Sequence, residues 1–269
     1  MSDPTAAHKA QTRAIFDRIA PDYDVAGPGC FAHFGRRLAE VAELAPGQRV
    51  LDVATGRGAV LFPAAERVGP TGEVVGVDLA EGMVRLTREE ATHRGVDVAL
   101  SVMDAERLDF PDQHFDRVLC GFGIMFFPRV DRALGEFRRV LKPGGRVGLS
   151  TWRISQGQDL AATLAGLGLM QLEDVSALSF NIPERLEGPL TAAGFIAARA
   201  ESDDAVFRFA DLEQYWQDAR GTGLRRWLDA LDDEQRERAR AALAERLAPH
   251  QRADGIYLAS SAMLATASR

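Results

Sequence analysis

The sequence predicts an α/β fold built on a mostly parallel sheet with helices on both faces. Short segments rich in Val and Leu recur between residues 49 and 152, and helical patterns separate them. Strands that alternate with helices at this spacing pair in parallel and are covered on both faces. The chain has 269 residues, 46% of them hydrophobic, which is enough for a large core. Folds of this class often reach this length as one unit, so we predict one elaborated domain.

The predicted elements follow one another closely in this region. Strands are predicted to begin at Arg49, Glu73, Val96, Phe115 and Gly145. Helices are predicted over residues 58–68, 81–94 and 129–141, the last one closed by the turn sequence KPGG. Pro63 conflicts with the first helix, because a proline inside a helix removes a hydrogen bond and bends the axis.

Both flanks of the alternating region contain further predicted helices. Before it, a helix with Ile15 and Ile19 near one face is predicted to end at Pro21, and a second amphipathic segment follows. After it, residues 153–193 and 211–250 are predicted to be mainly helical, residues 194–210 to form one strand or two short ones, and residues 255–269 to form a last strand.

Composition excludes several classes of function. The net charge is −7 and the arginines are spread along the chain, which argues against nonspecific nucleic-acid binding. Cys30 and Cys120 lie far apart without metal-ligand spacing, so we predict no metal site and a reducing, cytoplasmic location. We also predict no membrane span, since no apolar run approaches about 18 residues. A monomer and a homodimer both remain open.

The stretch VLDVATGRGAV, residues 50–60, carries the first chemical signal. A buried strand ends there, Ala54, Gly56 and Gly58 leave the backbone nearly bare, and a helix is predicted to begin. Free N–H groups at such a helix start suit a carboxylate or phosphate. The third glycine of a dinucleotide fingerprint and the GK[ST] of a P-loop are both missing. The loop is therefore predicted to cradle a nucleotide-like cofactor of another kind.

Two carboxylates follow the next two strands. Asp78 ends EVVGVD about twenty residues after the loop, the usual place of an acid that binds two ribose hydroxyls. Asp104 ends the following strand, where its carboxylate and a nearby N–H could bind the adenine edge. Both aspartates could instead be helix N-caps, and Met83 and Met103 could be ordinary core residues. Their joint position after consecutive strands favours binding.

The ordered set VLDVATGRG, VVGVDLAEGM, MDAERLDFPDQHFDRVLCGFGIMFF and RVLKPGGRV resembles the class I S-adenosylmethionine-dependent methyltransferases, most of all the quinone-biosynthesis and small-molecule branch. The resemblance is strong from Phe16 to Trp152. It implies a Rossmann-like sheet of seven strands, the last antiparallel, with helical lid insertions. It also implies S-adenosylmethionine as the cofactor and S-adenosylhomocysteine as its product.

The resemblance also implies roles for parts of the chain. A single methyltransferase domain, 1–269, would comprise an N-terminal helical lid (1–45), a cofactor-binding core (46–152), helical elements on the substrate side (153–193 and 211–250) and the final strands (194–210 and 255–269). The implied cofactor-binding residues are Tyr23, Asp52, Ala54, Gly56, Gly58, Asp78, Leu79, Met83, Met103, Asp104, Ala105, Cys120 and Gly121. Arg57 departs from the family pattern, in which smaller residues are frequent between these glycines.

The acceptor side gives weaker signals. Aromatic residues at strand ends and in the N-terminal segment are predicted to surround an apolar or aromatic small molecule: Phe31, Phe34, Phe122, Phe126 and Trp152. His33 is the one candidate base, since His8 is assigned to a tail and the other histidines to solvated turns. A base is not essential, because methyl displacement depends on orientation, which contributes on the order of 7 to 11 kcal/mol in good cases.

The sequence therefore predicts a methyltransferase that moves a methyl group to a small molecule by in-line displacement. Three alternatives stay open. The chain could bind the cofactor but catalyse a cyclisation or rearrangement, it could be a non-catalytic partner protein, or it could be a nicotinamide dehydrogenase, against which the missing glycine argues.

Overall fold

The fold is given by a computed structural model that describes residues 4–155, 157–171 and 180–269. The strands are β1 Arg49–Val53, β2 Glu73–Asp78, β3 Ala99–Val102, β4 Phe115–Gly121, β5 Leu141–Ile154, β6 Ile196–Phe209, β7 Gln251–Arg252 and β8 Gly255–Ser268. The helices are α1 Pro4–Ile19, α2 Cys30–Val41, α3 Leu61–Val68, α4 Glu81–Arg94, α5 Val130–Val140, α6 Gln158–Gly166, α7 Glu184–Ala192, α8 Leu212–Arg220, α9 Arg225–Leu228 and α10 Asp233–Leu247. Parts of the predicted lid and of the predicted helical region 153–193 lie outside the described residues.

All strands join one sheet, in the order β3-β2-β1-β4-β5-β8-β6, with β7 paired to the start of β8. The strands from β1 to β5 pair in parallel. β8 runs antiparallel to both of its long neighbours, β5 and β6. The predicted α/β class, the mostly parallel sheet and the antiparallel last strand are confirmed. The predicted number of seven strands is wrong, since the sheet has eight within the part of the chain that the structure describes: the two residues of β7 form a hairpin with β8.

Several boundaries differ from the predicted ones, each for a local reason. α3 begins at Leu61 instead of Gly58, which places Pro63 in its first turn, where a missing N–H costs no helical hydrogen bond. β5 already begins at Leu141 and passes through the KPGG sequence with a shift in register. β6 is a single strand of 14 residues.

The N-terminal helix is longer than predicted. α1 begins at Pro4, so the polar stretch assigned to a tail is helical. Little of α1 is apolar, and among its residues Ile19 is the buried one. Its position is instead fixed by contacts to other elements, among them the Asp17 carboxylate, which accepts the backbone N–H of Gly82 in the first turn of α4 (2.7 Å).

Helices on both faces bury the sheet between two hydrophobic clusters. Phe34 and Leu38 of α2 lie in one cluster, and Leu134 and Phe137 of α5 lie in the other, all with at most 1% of their surface exposed. α2 passes very close to the chain after β1, since a Cβ added at Gly35 would lie 2.0 Å from the Ala59 carbonyl oxygen. This close approach fixes α2 beside the carboxyl ends of the strands. Among the described residues, no helix combines the length and apolarity needed to cross a bilayer.

Candidate active site

The carboxyl ends of the first three strands meet at one place and are joined by hydrogen bonds. The Thr55 N–H, just after β1, donates to the carbonyl of Val77 in β2 (3.0 Å). The Gly56 N–H donates to Asp78 Oδ2 (2.8 Å), and the Met103 N–H, just after β3, donates to the Asp78 carbonyl (2.9 Å). Asp78 is therefore the connection between the loop after β1 and the end of β3.

The loop after β1 has an unusual backbone. Ala54, Gly56 and Gly58 have positive φ values of 56°, 52° and 83°, a region that costs a residue with a side chain roughly 1–2 kcal/mol. The two glycines differ in their surroundings. A Cβ at Gly56 would point towards the ring of Tyr23 at 3.9 Å, whereas one at Gly58 would overlap the ring of Phe62 at 2.5 Å. The missing side chain at Gly56 thus leaves space beside Tyr23, and the missing side chain at Gly58 leaves room for the Phe62 ring of α3.

Two buried carboxyl groups stabilise this loop. Asp52 is fully buried and its Oδ2 accepts the hydroxyl of Thr55 (2.6 Å). Burial, and then the neighbouring Asp78, raise the pKa of Asp52 to about 7. Burial also raises the pKa of Asp78 to about 6, opposed by N–H groups of Ala80 and Gly56 that bind its carboxylate. The Ala80 N–H lies 2.9 Å from Asp78 Oδ1. The site thus contains two carboxyl groups, those of Asp52 and Asp78, whose charged forms are destabilised by burial.

Asp104 is partly engaged by the N-terminal helix. Lys9 of α1 places its Nζ 2.7 Å from Asp104 Oδ2 and also binds the carboxylate of Glu106. The other carboxylate oxygen of Asp104 accepts the Glu106 N–H (2.9 Å). Only 4% of the Glu106 side chain is exposed, so the pair of acids needs this cation. α1 is therefore attached across the end of β3.

A narrow cavity of about 80 Å³ lies between the strand ends and α1. Most of the predicted cofactor residues line it: Tyr23, Ala54, Gly56, Asp78, Leu79, Met83, Met103, Asp104, Ala105 and Gly121. Two of the predicted substrate residues, Phe122 and Phe126, also line it, as do residues that the sequence did not point to: Lys9, Thr12, Arg13, Phe16, Val53, Ala80, Glu106, Gly123, Phe127 and Pro128. The structure thus brings together residues from Lys9 to Pro128, which lie 119 positions apart in the sequence.

Three predicted cofactor residues do not line this cavity. Asp52 and Gly58 lie behind the loop, where they fix its conformation. Cys120 is fully buried under Gly123, where an added Cβ would lie 2.7 Å from its Sγ. Burial raises the pKa of the Cys120 thiol, which is consistent with a packed, neutral side chain.

A second, larger cavity of about 490 Å³ adjoins the first. Phe31, Phe122, Phe126 and Trp152, four of the predicted substrate residues, line it. Its other side is built by residues of α6, α8 and α9. This volume lies within the range of about 300–1,000 Å³ that is typical of small-molecule sites.

Phe34 and His33 do not reach either cavity. Phe31, Phe34 and Leu38 lie on one face of α2, but Phe34 packs one layer deeper, with its ring 5.9 Å from Trp152 and no exposed surface. His33 lies on another side of α2, and its ring contacts Phe34 (5.0 Å) and Phe207 (5.5 Å). The structure therefore places the predicted base away from the site, because a residue two positions after Phe31 points about 200° around the helix.

The large cavity contains polar residues that sequence reasoning missed. His8 of α1 lines it, with its Nε2 3.3 Å from the Phe126 carbonyl oxygen, and Asp218 of α8 lines it as well. Helicity of the polar N-terminus was the signal that would have found His8. Asp218 belongs to no sequence pattern, so only the fold identifies it.

The two cavities share part of their wall. Thr12, Phe16, Tyr23, Phe122 and Phe126 line both of them. Phe122 has a φ of 56°, which is rare for a bulky residue and places its ring at the junction directly after β4. A ligand in one cavity would contact the same rings as a ligand in the other.

Arg57 connects the loop to the N-terminal helix instead of lining a cavity. Its Nη1 donates to the carbonyl of Ala20, at the end of α1 (2.8 Å). Burial raises the pKa of nearby Asp24 to about 6, and the Arg57 charge opposes this rise. The departure from the family pattern at Arg57 thus has a structural reason.

A methyltransferase domain model matches residues 50–145 of the chain. The chain is 34% identical over 257 residues to the nocamycin O-methyltransferase of Saccharothrix syringae, an alignment that covers 88% of this chain and 90% of that protein. This chain belongs to the methyltransferase family. The sequence-based prediction of a methyltransferase is confirmed at this level.

The quinone branch of the family is also represented among the relatives. The methyltransferase is 42% identical over 137 residues to the ubiquinone/menaquinone biosynthesis C-methyltransferase UbiE of Bordetella avium, which covers 49% of this chain and 54% of that protein. The fold matches the crystal structure of YcgJ from Bacillus subtilis with a TM-score of 0.60 at 22% identity, covering 88% of this chain and 98% of the other.

Among the described residues, no cluster of His, Cys, Asp and Glu has a metal-binding arrangement.

Proposed function

We propose that the protein is an S-adenosylmethionine-dependent methyltransferase, of the general class EC 2.1.1, that moves a methyl group by in-line displacement to a small apolar or aromatic metabolite. One observation carries the proposal. The three joined strand ends form a cavity that Asp78 and Asp104 help to line, and this cavity shares an aromatic wall with a second, larger one. Two substrates that must touch each other need two cavities that meet.

The residues of the narrow cavity fit the proposed cofactor chemically. Asp78 offers carboxylate oxygens to ribose hydroxyls, and Asp104 offers them to an exocyclic amine. The missing side chain at Gly56 lets a ligand approach the backbone, and Met83 provides an apolar contact for the adenine ring. S-adenosylmethionine would supply an electrophilic methyl group on a sulfonium.

Entry to the narrow cavity requires α1 to move. The volume of this cavity, about 80 Å³, is far below that of a usual ligand site. Lys9 and Phe16 of α1, and Tyr23 just after it, narrow the cavity. We infer that α1 acts as a lid, held by the contact of Lys9 to the end of β3 and by the contact of Arg57 to Ala20.

The chain would then act mainly by orientation. The rings of Phe122, Tyr23 and Phe126 would exclude water at the junction and fix the direction of approach of the acceptor. Correct placement alone contributes on the order of 7 to 11 kcal/mol in favourable cases. Leu79 and Ala105 would complete the adenine site from the backbone side.

Calorimetry with S-adenosylmethionine and S-adenosylhomocysteine tests the proposal directly. We expect both to bind, since both carry the adenosyl group that the strand ends are proposed to hold. Binding of neither ligand would contradict the cofactor assignment. Incubation of the protein with isotope-labelled cofactor and a metabolite pool, followed by mass spectrometry, then identifies the acceptor; a product without the added CH₂ would indicate cyclisation or rearrangement instead.

Location and partners follow from the same proposal. The two free, buried cysteines, Cys30 and Cys120, support a location in a reducing compartment such as the cytoplasm. A small-molecule acceptor is the expected partner. Nucleic acid is not expected at the site, and a monomer and a homodimer both remain compatible with it.

A further inference from the structure

An aspartate, Asp218, belongs to the wall of the large cavity, among several aromatic residues. Asp218, in the last turn of α8, lines this cavity and is 6% exposed. Its position depends on Gly27 in the connection between α1 and α2, where an added Cβ would lie 1.9 Å from Asp218 Oδ1. The absence of a side chain at Gly27 therefore gives the carboxyl group its room.

A second acid lies behind Asp218. Asp24 raises the pKa of Asp218 by charge repulsion, but Asp24 itself lines neither cavity, and its carboxylate binds the N–H groups of Ala32 and Phe31 at the start of α2. Burial raises the pKa values of Tyr23, Cys30 and Tyr215, and the charge of nearby Asp218 adds to this rise. Asp218 thus lines the cavity, whereas its acidic neighbour Asp24 does not.

We propose, on the basis of the function proposed above, that Asp218 accepts the proton of an aromatic hydroxyl group on the methyl acceptor. The flat rings of Phe31, Phe122 and Trp152 favour a planar acceptor, and Asp218 provides a hydrogen-bond acceptor at the edge of the same space.

The proposed step is balanced. The acceptor oxygen forms a bond to the methyl carbon while the carbon–sulfur bond breaks and its electron pair stays on sulfur. The hydroxyl proton passes to the Asp218 carboxylate and from there to solvent. The products are an aryl methyl ether and the thioether S-adenosylhomocysteine.

The pKa of Asp218 suits this role. Burial, and then the charge of Asp24, raise it to about 7. A group with this pKa is a stronger base than an ordinary aspartate and is still partly ionised at neutral pH. Below pH 7 Asp218 becomes protonated and loses its negative charge, so its preference for a hydroxyl donor should decline there.

Binding of matched naphthalenes tests the proposal without turnover. We would measure 2-naphthol, 2-methoxynaphthalene and 2-naphthoate by equilibrium dialysis at saturating S-adenosylhomocysteine. A hydrogen bond to a charged acceptor gives roughly a tenfold or larger preference, so the wild type should bind 2-naphthol at least about tenfold more tightly than the methoxy compound. In Asp218→Asn this preference should fall below about threefold, with S-adenosylhomocysteine affinity unchanged.

Asp24→Asn is the matched control. It removes the neighbouring charge but not the cavity carboxyl, so the preference should persist and its decline should occur at a more acidic pH than in the wild type. Phenols such as 2-naphthol titrate near the tyrosine value of about 10 and stay neutral in this range. The wild-type pH profile keeps the test valid even if Asp218→Asn does not fold.

Several outcomes would overturn the proposal. They are equal binding of naphthol and its methyl ether, a preference that survives Asp218→Asn, tighter binding of 2-naphthoate than of 2-naphthol, and binding of none of the three compounds. Failure to bind S-adenosylhomocysteine is a separate result, since it would contradict the proposed function itself.

Discussion

At the scale of single residues, Asp78 has the central position in the site. Its carboxylate binds the N–H groups of Gly56 and Ala80 and its carbonyl accepts the N–H of Met103, so one residue joins three strand ends. The N–H of Leu79 also binds this carboxylate, which leaves about one of its roughly four lone-pair sites for a ligand.

Replacing Asp78 by Asn should weaken cofactor binding. Asn keeps the size of the side chain but loses the charge, and hydrogen bonds to charged groups contribute about 1.5 to 3 kcal/mol. We expect S-adenosylhomocysteine affinity, measured by calorimetry, to fall by this amount. An affinity equal to that of the wild type would remove Asp78 from the proposed ribose site.

Asp52 should make the stability of the protein depend on pH. Its pKa is about 7 in the folded chain and near 3.9 when unfolded. The folded state holds the proton more tightly, so between these values the free energy of unfolding decreases with rising pH, by about 1.4 kcal/mol per pH unit for this group. Asp52→Asn should flatten this part of the profile, as followed by urea denaturation. A slope unchanged from the wild type would show that Asp52 is already ionised in the folded protein.

Residue-scale prediction from the sequence succeeded where a residue follows a strand. The strand pattern placed Asp78 and Asp104 at one site, the family resemblance added Gly121, and the structure gathers all three around one cavity. It did not succeed for side chains on helices. The positions of His33 and Asp218 depend on the rotation of α2 and α8, which single residues in these helices do not reveal.

At the scale of elements, the loop between β1 and α3 depends on glycine for two reasons. Gly58 combines a positive φ with a Cβ position 2.5 Å from the Phe62 ring. Gly95, after α4, has a positive φ of 65° but open space around it.

Gly58→Ala should therefore destabilise the protein more than Gly95→Ala. Left-handed backbone costs both variants roughly 1–2 kcal/mol, and overpacking adds about 1–3 kcal/mol at Gly58 alone. Thermal or urea unfolding measures both values. Equal destabilisation of the two variants would mean that Phe62 moves aside freely.

The contact of Lys9 to Asp104 and Glu106 should control how long the cofactor stays bound. Lys9→Met removes the charge that attaches α1 across the end of β3, so we expect S-adenosylhomocysteine to dissociate several times faster in stopped-flow measurements. Arg85→Met, which breaks an exposed ion pair with Glu89 on α4, is the matched control and should leave the rate unchanged. Identical dissociation rates for Lys9→Met and the wild type would argue against a lid role for α1.

The strength of prediction also varied among elements. Alternating Val-rich strands and amphipathic helices gave β1, β2, β4, α4 and α5 close to their observed bounds. α1 was predicted to begin too late, because its N-terminal half is polar and is fixed by distant side chains instead of an apolar face. The two residues of β7 are too few for any periodicity to appear.

At the scale of the whole molecule, the sheet places two cavities side by side with a common aromatic wall. Phe122 belongs to both, whereas Trp227 belongs to the larger one alone. This arrangement predicts different effects for two otherwise similar truncations.

Phe122→Ala should weaken both S-adenosylhomocysteine and 2-naphthol, and Trp227→Ala should weaken only 2-naphthol. Loss of an aromatic contact costs about 0.5 to 1.5 kcal/mol beyond the buried area, a difference that calorimetry and dialysis resolve. If Phe122→Ala left the S-adenosylhomocysteine affinity intact, the two cavities would act independently.

The shared wall has a consequence for how new specificities could arise in this protein. A substitution at Phe122 or Phe126 changes the affinity for the methyl donor together with the selectivity for the acceptor. Such substitutions are therefore harder to tolerate during divergence. Positions such as Ala161 and Leu224 border the larger cavity alone and escape this restriction. Laboratory evolution towards other acceptors should therefore accumulate its tolerated substitutions on α6, α8 and α9, while the aromatic junction stays fixed.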